Sequence, residues 1–252
     1  MHSVLVVGGG AAGCELAWGL AQRGVATTLL TTSLDTLYAL PADAWPGRPP
    51  AMTLWSTIAP EARDATGVQR AGPLRRAAKR ELERLADLRV VQSNATGLAR
   101  GDANEVIGVR TWEGPTVRAD VTILAVGSFL GARLTLGPAV ELAGRLSEMA
   151  YDDLRDDLRA AGLRLRRHTV ALDGDGVAPA YAVEHDVVAE DELDPLRVGG
   201  RVVAGAGRAR RWPGLWFVGA CIGDVAIETA AAAGRDLATY LAEASRGLSG
   251  SA

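Results

Sequence analysis

An α/β fold is predicted, with a doubly wound parallel sheet, an antiparallel β-meander and a small reduced second subdomain. Three features carry this reading. Val4–Val7 is a short, valine-rich apolar run at the head of the chain, the pattern of a strand buried on both faces. It turns through Gly8-Gly9-Gly10-Ala11-Ala12-Gly13 directly into the helical spacing of Glu15–Ala21, and Val25–Thr31 follows as a second strand. Strand, helix and strand within about thirty residues make a βαβ unit, whose crossover is right-handed in nearly all cases.

The later elements extend this frame. Residues 39–60 hold Pro41, Pro46, Pro49, Pro50 and Pro60 with Trp45 and Trp55, and are expected to be an irregular excursion. A basic helix is predicted from Pro73 to Leu85, with Leu74, Ala78, Leu82 and Leu85 on one face, followed by a strand at Arg89–Gln92. Val106–Trp112 and Thr116–Ala119 flank Glu113-Gly114-Pro115, a hairpin signal inside a three-stranded meander over roughly 97–122. Val121–Val126 is a wholly apolar strand stopping at Gly127, and Asp152–Ala161 an amphipathic helix ending at Gly162. Leu215–Val218 reads as a strand and Ala226–Leu241 as a long Ala-rich helix. The expected organisation is 1–167 for the main domain with its meander, 168–211 for a small excursion or remnant subdomain, 212–244 for the strand and helix completing the main domain, and 245–252 for a frayed tail.

Composition narrows the class. With 252 residues, 48% apolar, 23% charged and a net charge of -3, the chain can bury a core and carries no global basic excess. The start of the chain lacks the pattern of a signal peptide, and no apolar run approaches the ~20 residues that span a bilayer. A cytoplasmic protein without membrane partners is the expectation. Two cysteines, Cys14 and Cys221, are too few for a disulfide framework or a structural zinc site, and no metal site is expected.

Gly8, Gly10 and Gly13 match G-x-G-x-x-G directly after a strand. The first glycine permits the tight turn, the second lets a diphosphate approach bare backbone, and the third lets helix and strand pack closely. The diphosphate would sit on the N–H groups at the helix start, aided by the helix dipole. This is the Rossmann-like fingerprint. An acid usually ends the second strand to bond the adenosine ribose, but here that position reads Leu30-Thr31-Thr32-Ser33. Its absence counts against a plain NAD-dependent dehydrogenase, which stays as an alternative.

At these residues the chain resembles a family. V-V-G-G-G-A-A-G-C-E at 6–15, T-L-L-T-T-S-L-D-T at 28–36 and L-A-V-G-S-F-L-G-A at 124–132 are similar to the GidA/MnmG family of FAD-dependent tRNA wobble-uridine modification proteins. G-L-W-F-V-G-A-C-I-G and I-E-T-A-A-A-A-G near the C-terminus resemble the family's flavin-closing strand and helix. The resemblance covers about 1–154 and 214–242, and it implies FAD as cofactor. By position it implies diphosphate contacts from Gly8, Gly9, Gly10, Ala11, Ala12 and Gly13, and ribose contacts from Thr31, Thr32 and Ser33. It further implies an adenine contact at Ala95, cofactor contacts at Ala125, Val126 and Gly127, and a flavin contact at Ser147. Gly219, Ala220, Gly223, Ile227 and Glu228 would lie by the isoalloxazine, with the dipole of the last helix favouring the reduced ring.

Departures from the family are as informative as the matches. Its S-C-N-P cysteine has no counterpart in Leu37-Tyr38-Ala39-Leu40-Pro41, and its flavin-side glutamine is Ala220 here. The insertion carrying the second reactive cysteine, the nicotinamide-binding excursion and the C-terminal helices that handle tRNA and a partner GTPase have no match. Cys221 is the single weak candidate for a catalytic thiol, weighed against a small packing residue; Cys14 reads as a core cysteine. His168 and His185 show no metal-ligand spacing and are expected on solvated loops. Arg75, Arg76, Lys79, Arg80 and Arg84 could meet RNA phosphates, but the interspersed Glu81 and Glu83 favour an ordinary solvated face. Trp45, Trp55 and Trp212 either cover the flavin or pack the excursion. The expectation is an FAD-binding flavoprotein and oxidoreductase of unassigned substrate, linked through its family to tRNA modification. A non-catalytic flavin-binding subunit needing a partner chain is the alternative, and a protein partner or a homo-oligomer is compatible with either reading.

Overall fold

The computed structural model describes residues 3–172 and 180–249. Its centre is a seven-stranded sheet with strands in the order 193–198, 201–209, 215–218, 121–124, 3–7, 26–31, 88–92. The five strands from Leu215–Val218 to Leu88–Gln92 are parallel, and the first two form an antiparallel edge. Strand order doubles back at Ser3–Val7, which has Ala26–Thr31 on one side and Val121–Leu124 on the other. Open α/β sheets bind ligands at such a switch point. Val4 to Val7 are at most 1% exposed, as the unbroken apolar run requires.

Helix α1 (Ala11–Ala21) crosses behind this sheet and is itself covered by α5 (Ile227–Ser249). Buried on nearly every side, α1 has no polar face, which is why its sequence alternates small and apolar residues. Gly19 meets Ala238, where a Cβ would stand 2.8 Å from that methyl, and Gly234 meets the Ala12 carbonyl, where it would stand 2.4 Å away. The two helices are therefore in backbone contact. Gly24, with φ of +75°, ends the first crossover.

The excursion at 39–60 is more ordered than expected. Helix α2 (Leu54–Ala62) begins inside it, capped reciprocally by Thr53 and Ser56, and tolerates Pro60 in its last turn. The crowding of prolines hid a helix whose Leu54, Trp55, Ile58, Ala59 and Ala62 all face the core. The buried Glu15 of α1 anchors its start, accepting hydrogen bonds from the Leu54 and Trp55 amides at 2.6 and 2.9 Å and from the Tyr38 hydroxyl at 2.5 Å. Burial outweighs these three donors and pushes the Glu15 carboxyl up to about 7. The basic helix runs as α3 (Ala71–Glu83), and its outer charges meet acids: Arg80 with Glu61, Arg84 with Glu81 and Lys79 with Asp35.

The meander is present as Ala95–Arg100, Val106–Thr111 and Thr116–Arg118. It is tied to α4 (Asp152–Ala160) by Asp157, which accepts from the Leu98 amide at 2.8 Å and the Arg110 guanidinium at 2.5 Å. Residues 168–211 divide between two sheets. Leu165–Leu172 and Tyr181–Val188 pair in a second, four-stranded sheet with Arg133–Leu136 and Ala139–Glu141, whereas 193–198 and 201–209 edge the main sheet. The strand Tyr181–Val188 hid from the sequence because it is buried on both faces toward its end, so the two-residue alternation fades. His185 lies in that strand with no exposure, edge-to-face with His168 at 5.5 Å, and is not on a solvated loop. Burial and nearby Arg167 hold its imidazole down to about 4. Residues 173–179, within the expected excursion, and 250–252 of the expected tail lie outside the described residues. Helix α5 continues to Ser249, eight residues past the expected end. Among the described residues no helix is long and apolar enough to cross a membrane.

Glu15 makes stability pH-dependent. Its folded-state pKa lies above the unfolded 4.5, so the folded chain holds this proton more tightly and stability falls as pH rises through the window from 4.5 to about 7. Urea unfolding should show about 2 kcal/mol less stability from this group at pH 8 than at pH 5. The Glu15→Gln chain should be less stable at pH 5 yet lack that slope; an unchanged slope would mean Glu15 is not the group responsible.

Candidate functional site

The carboxyl ends of the parallel strands open onto two adjoining compartments of about 100 and 300 Å³. Gly10, Ala39, Ala125, Gly127, Phe129 and Arg145 belong to both walls, so the two are continuous. The smaller is built on the first turn, from Gly8–Gly10, Thr31, Thr32, Thr36 and Val126, with Glu148 and Tyr151 opposite. The larger runs past Ala11 and Ala12 to Val218–Ala220 and Gly223–Ile227, and is roofed by Trp45, Val170, Leu172 and Tyr181.

The three motif glycines differ in what they touch. A Cβ on Gly13 would stand 1.9 Å from the Gly8 carbonyl oxygen, and one on Gly8 would stand 2.4 Å from the Ala125 carbonyl oxygen. Both are fixed by the packing of helix against strands. At Gly10 a Cβ would meet nothing within 4 Å, because this residue faces open space in both compartments. Gly10 also begins α1, whose first turn has neither a side-chain cap nor an acid. Amide donors and the positive end of the dipole are therefore presented to the cavity without internal competition from a carboxylate. That is the arrangement a diphosphate requires, and the residues present fit one.

The far end is shaped by two glycine turns. Gly219, at φ +86°, brings backbone past Ala12, and Gly223, at φ +149°, opens the chain before α5 begins. Ala220 and Ile227 line this end, which is largely apolar and suits a flat aromatic ring. Glu228 points elsewhere: its carboxylate accepts from the Trp45 indole at 3.0 Å, and so locks α5 to the roof.

Not every residue singled out from the sequence reaches the cavity. Ala95 is buried in the meander, and Ser33 is held in its own turn, its carbonyl accepting from the Thr31 hydroxyl and its own hydroxyl from the Asp35 amide. Ser147 is exposed, at φ +60° in the turn between Ala143–Arg145 and Glu148–Met149. Cys221 is fully buried below the far end, its thiol donating to the Leu124 and Val218 carbonyls at 3.3 and 3.4 Å, and burial pushes it up to about 12. Cys14 is likewise buried against the Gly9 carbonyl, with its pKa raised by burial. Neither thiol is poised as a nucleophile. Of the three tryptophans, Trp45 roofs the cavity, while Trp55 and Trp212 are core residues. Among the described residues no group of three or more metal-ligating side chains converges.

Arg145, Phe129, Tyr151 and Tyr181 escaped the sequence reading. They come from turns and from the second sheet, and nothing in their local pattern marks them. The arginine-rich segment near the C-terminal strand is neutralised in place, with Arg208 and Arg210 on Asp194 and Arg211 on Glu192.

Together the sheet, the glycine turn and the adjoining compartments define a Rossmann-like α/β protein. The description "Glucose inhibited division protein A" matches residues 3–45 and 62–174, and the chain belongs to this GidA family. It is 30% identical over 189 residues to the tRNA uridine 5-carboxymethylaminomethyl modification enzyme MnmG of Thermus thermophilus, covering 66% of this chain and 32% of that protein. The Chlamydia muridarum MnmG is also 30% identical, over 192 residues covering 66% of this chain and 31% of that protein. The chain thus spans about a third of the length of these curated relatives. A solved GidA-related protein from Thermus thermophilus superposes over 96% of this chain and 98% of its own, with a TM-score of 0.82 and 38% identity. Aquifex aeolicus GidA shares the fold, with a TM-score of 0.80 at 17% identity over 97% of this chain and 64% of its own.

The burial of both cysteines has a direct readout. A thiol-specific chromogenic reagent at pH 8 should label neither in the folded chain and both after denaturation; labelling of Cys221 in the native chain would reopen it as a reactive thiol. A second contrast separates the glycines. Gly13→Ala should lower stability by about 3 kcal/mol or more, because backbone must move, whereas Gly10→Ala should melt close to the parent.

Proposed function

We propose that this chain is an FAD-binding oxidoreductase of the GidA family whose own residues supply the cofactor site. The observation that carries the reading is the continuous cavity from Gly10, at the start of α1, to the Gly219–Ile227 segment. Its narrow end matches a diphosphate and adenosine, and its wide apolar end matches a tricyclic ring. FMN has no second phosphate or adenosine and would leave the space beside the glycine turn and Thr31–Thr32 unfilled. Membership of the GidA family supports the same cofactor.

The residues divide the work. Gly9–Ala12 would bind the diphosphate through backbone N–H groups, since the Gly8 amide is taken by the Leu30 carbonyl at 2.7 Å, and Thr31 and Thr32 would face the ribose. Gly219, Ala220, Gly223 and Ile227 would orient the ring, while Phe129, Trp45 and Tyr181 exclude water from it. Bound there, the isoalloxazine supplies two-electron redox chemistry. The N-terminal end of α5 would stabilise negative charge on the ring edge beside it. The curated relatives modify tRNA uridines, and we extend that setting to this chain only as far as the cofactor. A covalent thiol route would need an accessible thiolate, whereas Cys14 and Cys221 are both buried. A folded RNA would need a broad unpaired cationic surface, whereas Arg80, Arg84, Arg208, Arg210 and Arg211 each meet an acid.

The purified chain should be yellow and release FAD, not FMN, on denaturation. Gly10→Val should lose the flavin while keeping its far-ultraviolet circular dichroism, since the added Cβ projects into cavity space with nothing within 4 Å. Full flavin occupancy in that variant would place the cofactor elsewhere. Reduction by NADH should be slow, below about 10 per second, because the sequence carries no second nucleotide-binding motif after the first; faster stopped-flow reduction would contradict this.

A further inference from the structure

Among the described residues, Arg145 is the only cation lining either compartment, and it lines both. It ends the short strand Ala143–Arg145, whose position is set by contact rather than by sheet registry. A Cβ on Gly144 would stand 2.3 Å from the Phe129 ring, and the Ser128 hydroxyl donates to the Gly144 carbonyl at 3.3 Å. Only a residue without a side chain lets the strand press onto Phe129, and the next side chain then falls at the junction of the compartments.

The Arg145 guanidinium is occupied by a carboxylate from its own hairpin. Its Nε donates to Glu148 Oε1 at 2.6 Å, and Nη2 engages the same oxygen. Both side chains are about four-fifths buried, at 21% and 18% exposure, so this pair is not a solvent-screened surface contact. A guanidinium carries five donors in a planar fork suited to two-oxygen anions, and one carboxylate oxygen uses only part of it. Glu148 lines the smaller compartment alone. The phenol of Tyr181, in the roof of the larger one, senses both charges: burial raises its pKa, Arg145 opposes the rise and Glu148 adds to it.

We propose that Arg145 is the oxyanion-binding residue of this cavity and that Glu148 is an internal surrogate, displaced when an oxyanion of the bound ligand arrives. This assignment rests on the FAD reading of the same cavity. The oxyanion is a phosphate or carboxylate, from one of two sources: the cofactor's diphosphate, or the acid group of a planar substrate lying in the larger compartment under Trp45 and Tyr181. Arg145 is thereby a specificity residue, since pockets of this kind orient an apolar ligand through a few placed polar groups. Glu148 makes the site selective by requiring the ligand to outcompete a carboxylate already in place.

The test uses the full chain, stripped of flavin and titrated with FAD, then with benzoate as a planar acid probe read by perturbation of the flavin absorption band. Arg145→Gln, Arg145→Lys and Glu148→Gln are compared, with circular dichroism as the folding control. If the cofactor supplies the anion, Arg145→Gln weakens FAD at least tenfold, Arg145→Lys less, and Glu148→Gln tightens it. If the substrate does, Arg145→Gln binds FAD as the parent does but loses the benzoate perturbation, which Glu148→Gln strengthens. Folded Arg145→Gln that matches the parent toward both probes overturns the proposal. Glu148→Gln that weakens both probes also overturns it, because the pair would then be only a structural brace. A parent chain that binds no FAD refutes the functional reading itself, and is distinguished from failure of the Arg145 assignment.

Discussion

Helix α1 touches the sheet through backbone, and the rest of the molecule is arranged around that contact. Gly13 lies so close to Gly8 that no Cβ fits between them, and Gly8 in turn lies against Ala125. On the other side of α1, Gly19 and Gly234 let α5 approach to a comparable distance. Three layers are thus held at backbone separation along one line, and the start of α1 is fixed relative to the carboxyl ends of three strands. A cavity that must hold donors in a rigid array depends on this. Interiors packed at crystal-like density transmit a misplaced methyl instead of absorbing it.

Buried charge reinforces the arrangement where backbone packing ends. Glu15 fixes the start of α2 and Tyr38, and the Tyr38 amide in turn donates to the Gly9 carbonyl at 2.8 Å, holding the Leu37–Pro41 segment near the first turn. Asp186 does the corresponding work in the second sheet, with Arg159 at 2.9 Å and Arg167 at 3.2 Å. Removing Arg159 or Arg167 is costly, because the Asp186 carboxylate stays buried. The wall that carries Arg145 and Tyr181 is supported from that sheet, and the floor that carries Gly10 is supported from the main one.

The legible part of the sequence was the part governed by local rules. Val4–Val7, the glycine turn and Val25–Thr31 declare themselves because strand burial and turn sterics act within a few residues. Thr31, Thr32, Gly219, Ala220, Gly223 and Ile227 were located by order and content, and all line the cavity. Ser147 and Ala95 were located the same way and do not, since a position in a pattern does not fix where a neighbouring turn points. What stayed hidden is non-local. Helix α2 is specified by Glu15 and a capping box more than by its proline-crowded composition. Phe129, Arg145 and Tyr181 meet only because a short hairpin lies on one ring and a second sheet closes over it.

The central claim is that the amides at the start of α1 bind the diphosphate of FAD within this cavity. Amide chemical-shift mapping of the isotope-labelled chain during FAD titration addresses it residue by residue. The account predicts the largest perturbations at Gly9, Gly10, Ala11 and Ala12, with a second group over Gly219–Ile227. Saturable FAD binding that leaves those amides unmoved and perturbs another surface, such as the groove beside Gly162 and Arg164, would contradict it.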